Sequence, residues 1–280
     1  MCTILGVYAE THYWLGSNSD NPWDTRTKIC VNDEYKYKFI GTKLKCPNDD
    51  LPWANMMTRG VNEAGIAFTF AFVQRDLSIP LKDGIGFKEF GKTILGQFSS
   101  LSEIEYFLKN QDVNISGNFI FADDKGSLLF GEILPYESKL TWKSSETVLR
   151  TNHFLELQTP NSQELHPSST QRYQSMVTAM KKHTQSDNTS IYLRHLLQNH
   201  ESAELDQEFG SSNCSHGQNS GTISSEIIDP ENRTIWYCYG SPCHDTEKVQ
   251  SWDTYIPFKL SDYSSGDITD FEGEIVKQIL

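Results

Sequence analysis

The second residue of the chain, Cys2, stands directly behind Met1. An initiator methionine is removed when the next side chain is small, so loss of Met1 is expected. Processing leaves a thiol and a free α-amino group on one residue. An α-amino group titrates near ~8 and a thiol near ~8.5, so the amine can take the thiol proton close to neutral pH. The same pairing activates an N-terminal threonine. The competing reading of Cys2 is a small buried hydrophobe opening a first strand. Taken alone, that plainer reading is the commoner one.

Three further segments place a polar group at the end of an expected element. Gly16-Ser17-Asn18-Ser19-Asp20 reads as the exit of a hairpin formed by residues 3–9 and 12–15. The hairpin returns Asp20 towards Cys2, where its carboxylate could hold the α-amino group. Thr151-Asn152-His153-Phe154 ends a strand expected over 147–151. The Asn152 amide suits an oxyanion, whereas His153, adjacent on a strand, points to the opposite face. Arg172 opens a helix expected over 169–182 and could clamp a carbonyl or place Cys2. Each has an ordinary counterpart: a turn Asp before Asn21-Pro22, a strand-ending Asn, a surface Arg. Residues 60–67 (GVNEAGIA) read as a turn into a buried strand, with Asn62 and Glu63 in the turn.

The elements that must position these groups come in blocks. Strands are expected over 28–31, 35–40, 65–73, 118–122, 127–132 and 140–142, from short apolar or alternating runs. Helices are expected over 87–98, 102–110 and 190–199, the second capped by Ser102 with Glu105 three residues on. Residues 222–228 and 234–239 form a hairpin around Asp229-Pro230-Glu231-Asn232. The polar segment 198–220 reads as a loop, and 261–280 as a tail ending in a short helix. No linker divides the chain, so one domain over 2–280 is expected. Blocks of strands and helices without strict alternation indicate an α+β fold.

Composition bounds the function. The 280 residues are 37% hydrophobic and 22% charged, with a net charge of -13, which is globular material. An acidic chain argues against nucleic-acid and anionic-membrane partners. No run approaches ~18 apolar residues, so no membrane span is expected. Six scattered cysteines and no basic leader suggest free thiols and a cytoplasmic protein. A zinc site could use Cys214, His216, Cys238, Cys243 and His244, but the spacing is not a paired short-loop pattern. No metal and no cofactor are therefore expected.

Taken together, the chain resembles the N-terminal-nucleophile (Ntn) amidohydrolases of the choloylglycine hydrolase and penicillin acylase type. It is closer to the acyl-coenzyme A:6-aminopenicillanic acid acyltransferase branch. The resemblance is carried by Met1-Cys2-Thr3, Gly16-x-Asn18-x-Asp20, residues 61–67 (VNEAGIA), residues 151–154, Ser169-x-x-Arg172-Tyr173, and the hairpin from Gly221 to Cys243. It implies a four-layer αββα sandwich and cleavage of a linear, non-peptide amide of a small N-acyl molecule. Transfer of the acyl group to an amine is the alternative, and a binding protein that has lost turnover is another. The resemblance implies Cys2 as nucleophile, Asp20 as the residue positioning it, Asn152 in the oxyanion hole and Arg172 as the downstream arginine. It also allows a homo-oligomer. Bile-salt hydrolases carry Arg where Ser17 stands, and a second oxyanion Asn where this chain has Ala71 or Phe72. Bile-salt specificity is therefore not expected. Ser17, Phe70 and Phe72 are the candidates for contact with substrate, and a backbone N–H over 70–73 for the second oxyanion donor.

Overall fold

The computed structural model describes residues 2–76, 83–157, 167–182, 188–200, 212–244, 250–277 and 279. The chain opens with the hairpin β1 (Cys2–Ala9) and β2 (His12–Pro22). Glu10 turns it with a φ of 58°. There follow β3 (Arg26–Asn32), β4 (Phe39–Lys45), β5 (Met57–Asn62) and β6 (Ala67–Phe72). A short parallel pair, β7 (Ile85–Gly86) and β8 (Val113–Asn114), flanks helices α1 (Phe87–Gln97) and α2 (Leu101–Asn110). Then come β9 (Gly117–Ala122), β10 (Leu128–Leu134), β11 (Glu137–Lys143) and β12 (Val148–Arg150). Helices α3 (Pro167–Lys182) and α4 (Thr189–Leu197) precede β13 (Ser220–Asp229), β14 (Thr234–Tyr239), β15 (Ile256–Lys259) and β16 (Gly266–Asp267).

The strands form two antiparallel sheets, ordered β12-β1-β2-β13-β14-β15 and β11-β10-β9-β6-β5-β4-β3-β16. Strand periodicity assigns their faces. On β1, Ile4 joins a core between the sheets with Val61, Ala67, Ile120 and Phe130. Leu5 and Val7 point the other way, onto Met176 of α3 and Leu193, Leu196 and Leu197 of α4. The outer face of the second sheet packs Phe68, Phe70, Phe119 and Phe121 against Phe90, Ile94 and Phe107 of α1 and α2. The layers are therefore helix, sheet, sheet, helix, the αββα sandwich expected. Strands covered on both faces need apolar or internally paired residues throughout, and all ten residues of β13 are buried.

Several boundaries differ from expectation for local reasons. Residues 16–20 continue β2 instead of leaving a hairpin, because β13 pairs along them as far as Pro22. The strand expected at 35–40 lies later, at β4. The cap of α2 is Ser100, whose hydroxyl accepts from Glu103 N while Glu103 reaches back to the Ser100 N–H. The same capping-box logic thus applies two residues earlier. The tail carries no α-helix among its described residues. Instead β16 extends the edge of the second sheet beside β3, and Trp252 donates to Gly273 O. Of the expected polar loop at 198–220, residues 201–211 lie outside the described residues. Ser212, Asn213, Cys214 and Ser215 are buried.

One ion pair closes the far end of β2. His12 Nε2 lies 3.1 Å from Asp229 Oδ1 at the end of β13, and its ring stacks on Trp14. Burial alone would lower the His12 pKa, but the bond to Asp229 and the charges of Asp229 and Glu231 raise it above 6.5. Burial pushes the Asp229 carboxyl up, and bonds from His12 and Asn232 bring it below its ordinary value. A raised histidine stabilises fully below its unfolded pKa and loses that contribution as pH rises through the folded value. Unfolding stability should therefore decline as pH rises from about 6.5, and His12→Gln should flatten that decline. Urea melts across the range check this, and an unchanged slope in the variant contradicts it.

Candidate active site

The antiparallel ladder explains why Cys2 needs side-chain partners. β12 pairs with β1 only at Ile4, Leu5 and Gly6. Beyond Arg150 the chain turns away, and the backbone groups of Cys2 on that edge lose their strand partner. A buried unpaired N–H or C=O is costly, and two side chains take the place of the missing strand. Cys2 N donates to Asn152 Oδ1 at 2.6 Å. Arg172 Nη1 donates to Cys2 O at 2.7 Å and to Thr3 Oγ1 at 3.2 Å, and Arg172 Nη2 donates to Asn152 Oδ1 at 2.8 Å. Two donors converge on one amide atom, so that atom must be the oxygen. The Asn152 amide nitrogen then points to the second sheet and donates to Phe72 O at 2.6 Å.

Asp20 lies beside the same guanidinium. Its Oδ2 is 3.7 Å from Arg172 Nη1, and its Oδ1 accepts from Thr222 Oγ1 at 2.6 Å. A register shift between Thr222 and Ser224 lets Thr222 pair opposite Asp20 while Ile223 turns into the phenylalanine-rich core. Burial pushes the Asp20 carboxyl above its ordinary value, against the opposing pull of Arg172. Asp20 is expected to hold the α-amino group that loss of Met1 would free on Cys2; here that nitrogen is a peptide N–H. As a peptide N–H it donates to Asn152 Oδ1, while Asp20 lies against Arg172 and Thr222 and also feels the charge of the chain's N-terminus. His153 faces Ser169, its Nδ1 2.8 Å from Ser169 Oγ, so it is part of the support behind Asn152.

The Cys2 side chain faces between the sheets, where a second buried guanidinium meets it. Arg59 on β5 places Nη2 3.8 Å from Cys2 Sγ and 3.3 Å from Asn18 O. Its Nε donates to Ser17 Oγ at 2.7 Å and lies 3.1 Å from Glu226 Oε2 on β13. Burial pushes Glu226 up and Arg59 pulls it down, with net elevation. Sequence reasoning missed both residues. The available signal was a single charge within each of two otherwise buried strands, residues 57–62 and 222–228. Ser17, a candidate for substrate contact, is buried away from the lining of the cavity in front of Cys2 and seats Arg59 and Glu226. Its small side chain leaves room for the guanidinium that β5 supplies.

A cavity of ≈ 440 Å³ opens in front of Cys2, lined by Ser19, Leu44, Met56, Arg59, Phe70 and Phe72 among others. Phe70 and Phe72, the candidates for substrate contact, are both in that lining. Trp53, 5.9 Å from Phe72 between ring centroids, separates it from a second cavity of ≈ 400 Å³ reaching Phe87 and Ile115. Of the backbone donors expected over 70–73, Val73 N–H is engaged by Ser116 O. Cys214, His216, Cys243 and His200 gather nearby as the only group of three or more metal-capable side chains found among the described residues.

The family model for acyl-coenzyme A:6-aminopenicillanic acid acyl-transferase matches residues 9–244, and the chain belongs to that family. No curated protein matches the chain in sequence. Among solved structures, the C2A mutant of conjugated bile acid hydrolase from Clostridium perfringens superposes with a TM-score of 0.57 at 13% identity, covering 99% of each chain. Penicillin V acylase from Agrobacterium tumefaciens gives 0.55 at 14% identity, covering 85% of this chain and 83% of its own. The Caenorhabditis elegans N-acylethanolamine-hydrolyzing acid amidase ortholog gives 0.51 at 9% identity, covering 82% and 93%. These likenesses identify the Ntn-hydrolase fold. The chain is an enzyme of the amide-hydrolysing or acyl-transferring kind.

The Arg59–Glu226 pair carries a stability prediction. Removing one partner of a buried pair costs about 3–5 kcal/mol, while replacing both is far cheaper. Arg59→Met should lose stability of that order in urea unfolding. Arg59→Met combined with Glu226→Gln should regain most of it. A double variant as unstable as the single one contradicts this reading.

Proposed function

We propose that the protein is an N-terminal-cysteine amidohydrolase that cleaves a linear, non-peptide amide of a small N-acyl molecule through a thioester on Cys2. The observation that carries the reading is that nitrogen, carbonyl and sulfur of this one residue each meet a different buried side chain at the mouth of an apolar cavity: Asn152, Arg172 and Arg59. Removal of Met1 turns the Cys2 nitrogen into the α-amino base. That amine takes the thiol proton, and the Arg59 guanidinium favours the resulting thiolate in a low-dielectric setting. The thiolate attacks the substrate carbonyl. Asn152 Nδ2 carries two hydrogens, one committed to Phe72 O, so the other can meet the oxyanion.

The α-ammonium then gives its proton to the departing amine as the C–N bond breaks, leaving an acyl thioester. Water, deprotonated by the same amine, attacks the thioester and restores the thiol. Asp20 and Arg172 act as positioning residues, fixing the backbone of Cys2 and the orientation of Asn152. The apolar lining of both cavities suits a hydrophobic acyl group, with Trp53 and Phe72 between the two chambers. The family match supports a second outcome for the thioester, aminolysis by an acceptor amine. Product analysis with and without such an amine separates the two.

Cys2→Ala should abolish turnover of an N-acyl amide panel while circular dichroism stays unchanged, and undiminished activity in that variant would sink the proposal. Stoichiometric acylation of Cys2 without release would instead favour a binding protein on this fold. Asn152→Ala should lower kcat by about 10²–10³-fold if its amide meets the oxyanion. A change confined to KM would assign Asn152 to ground-state binding.

A further inference from the structure

Four side chains capable of holding a metal converge on one point outside the substrate cavity. Cys214 and His216 lie in the segment 212–219 before β13, Cys243 follows β14, and His200 follows α4. Their donor atoms all lie within 4.8 Å of one another. Cys214 Sγ is 3.1 Å from Cys243 Sγ and 3.5 Å from His216 Nε2, and His216 Nε2 is 3.0 Å from Cys243 Sγ. The rings of His200 and His216 stand edge to face at 5.1 Å. Cys214 is fully buried and the other three are half-buried.

The ligands weighed from sequence change in membership. Cys238 turns its sulfur towards Trp252 O at 3.6 Å, and His244 is exposed. His200, which no spacing motif singled out, takes their place. Tetrahedral zinc has Zn–S near 2.3 Å and Zn–N near 2.0–2.1 Å, which places donors roughly 3.3–3.8 Å apart. A set of two sulfurs and two imidazoles within a few ångströms is the donor chemistry of zinc rather than of magnesium or calcium. Weak thiol hydrogen bonds alone give little reason for four such groups to share one centre.

We propose that His200, Cys214, His216 and Cys243 bind one structural zinc ion. Binding forms two Zn–S and two Zn–N bonds. Each thiol releases its proton to solvent, so two thiolates balance the dication beside two neutral imidazoles. Four protein ligands leave no open position, and the ion takes no part in amide chemistry. Its role is to tie three chain segments together behind the catalytic strand. The segment it fixes runs directly into the candidate site: Asn213 O accepts from Asn18 Nδ2 at 2.6 Å, and Ser215 N donates to Thr222 Oγ1 at 2.8 Å. Thr222 in turn donates to Asp20. Zinc thus sets the orientation of the hydroxyl that holds Asp20 against Arg172.

The test is metal content of the full chain, purified without chelator and exchanged into metal-free buffer, together with Co²⁺ substitution. The expected result is about one zinc per chain. Cobalt should give visible d–d bands of tetrahedral intensity and a thiolate charge-transfer band in the near ultraviolet. Cys243→Ser and His216→Ala, both at half-exposed positions, should each lose most of the zinc and the cobalt spectrum with native circular dichroism. If Cys243→Ser fails to fold, His216→Ala and the wild-type stoichiometry still decide. Wild-type protein with negligible zinc that takes up no cobalt overturns the proposal. So does a Cys214–Cys243 disulfide in peptide mass spectra of protein purified without reductant, or zinc retained in full by both variants. None of these readouts depends on amidase activity, so the site can fail while the enzyme assignment stands, and the reverse.

Discussion

Arg172 is the interaction on which the rest of the site depends. A strand that ends two residues short leaves the backbone of Cys2 without a neighbour on that edge, and the guanidinium of Arg172 closes the gap. It joins Cys2 O, Thr3 Oγ1, Asn152 Oδ1 and Asp20 from the helix layer. A planar fork with five fixed donors can do this; an ammonium on a flexible stem cannot. The group is completely buried, so its charge must be compensated by hydrogen bonds and by Asp20. That requirement in turn explains why Thr222 pairs opposite Asp20 across a bulge, and why the segment before β13 is packed down beneath it. Placement of Cys2 is thereby a property of the first sheet and its helices, independent of what fills the cavity.

The second sheet supplies the other half. Cys2 sits on the face that looks across to β5, so its sulfur meets Arg59, and it shares the lining of one cavity with Phe70 and Phe72. Arg59 is held by Ser17 and Glu226 from the opposite sheet, which makes the pair an electrostatic link between layers as well as a neighbour of the sulfur. Asn152 spans the same gap, with its oxygen committed to the first sheet and its nitrogen to Phe72 of the second. Relative movement of the sheets would disturb all of these contacts together. The chemistry is in this sense tied to the packing of the sandwich.

Much of this was legible in the residues because it rests on local rules. The apolar run of residues 3–9 and the turn residues 229–232 mark their hairpins, and the three-and-four spacing of Phe87, Phe90 and Ile94, and of Leu101, Ile104 and Leu108, marks α1 and α2. Asn152 and Arg172 could be singled out because each closes or opens an element. Other features depend on tertiary neighbours and leave little local trace. Residues 16–20 look like a polar exit, yet β13 pairing makes them a buried strand. Arg59 and Glu226 sit in separate strands and become a pair only when the sheets stack. His200, Cys214, His216 and Cys243 come from three segments, so no short spacing announces them. The tail reads as a terminal helix by composition, whereas the free edge of β3 makes it a strand at β16.

The central claim is that Cys2, once freed at its nitrogen, is the reactive thiol of this enzyme. The most direct measurement is a mass spectrum of the N-terminal peptide after brief, limiting iodoacetamide treatment of the native protein. The account predicts loss of Met1 and alkylation of Cys2 well ahead of Cys30 and Cys46, whose thiols burial pushes up, Cys30 to about 11. Retained Met1, or Cys2 alkylated no faster than those two, would contradict it.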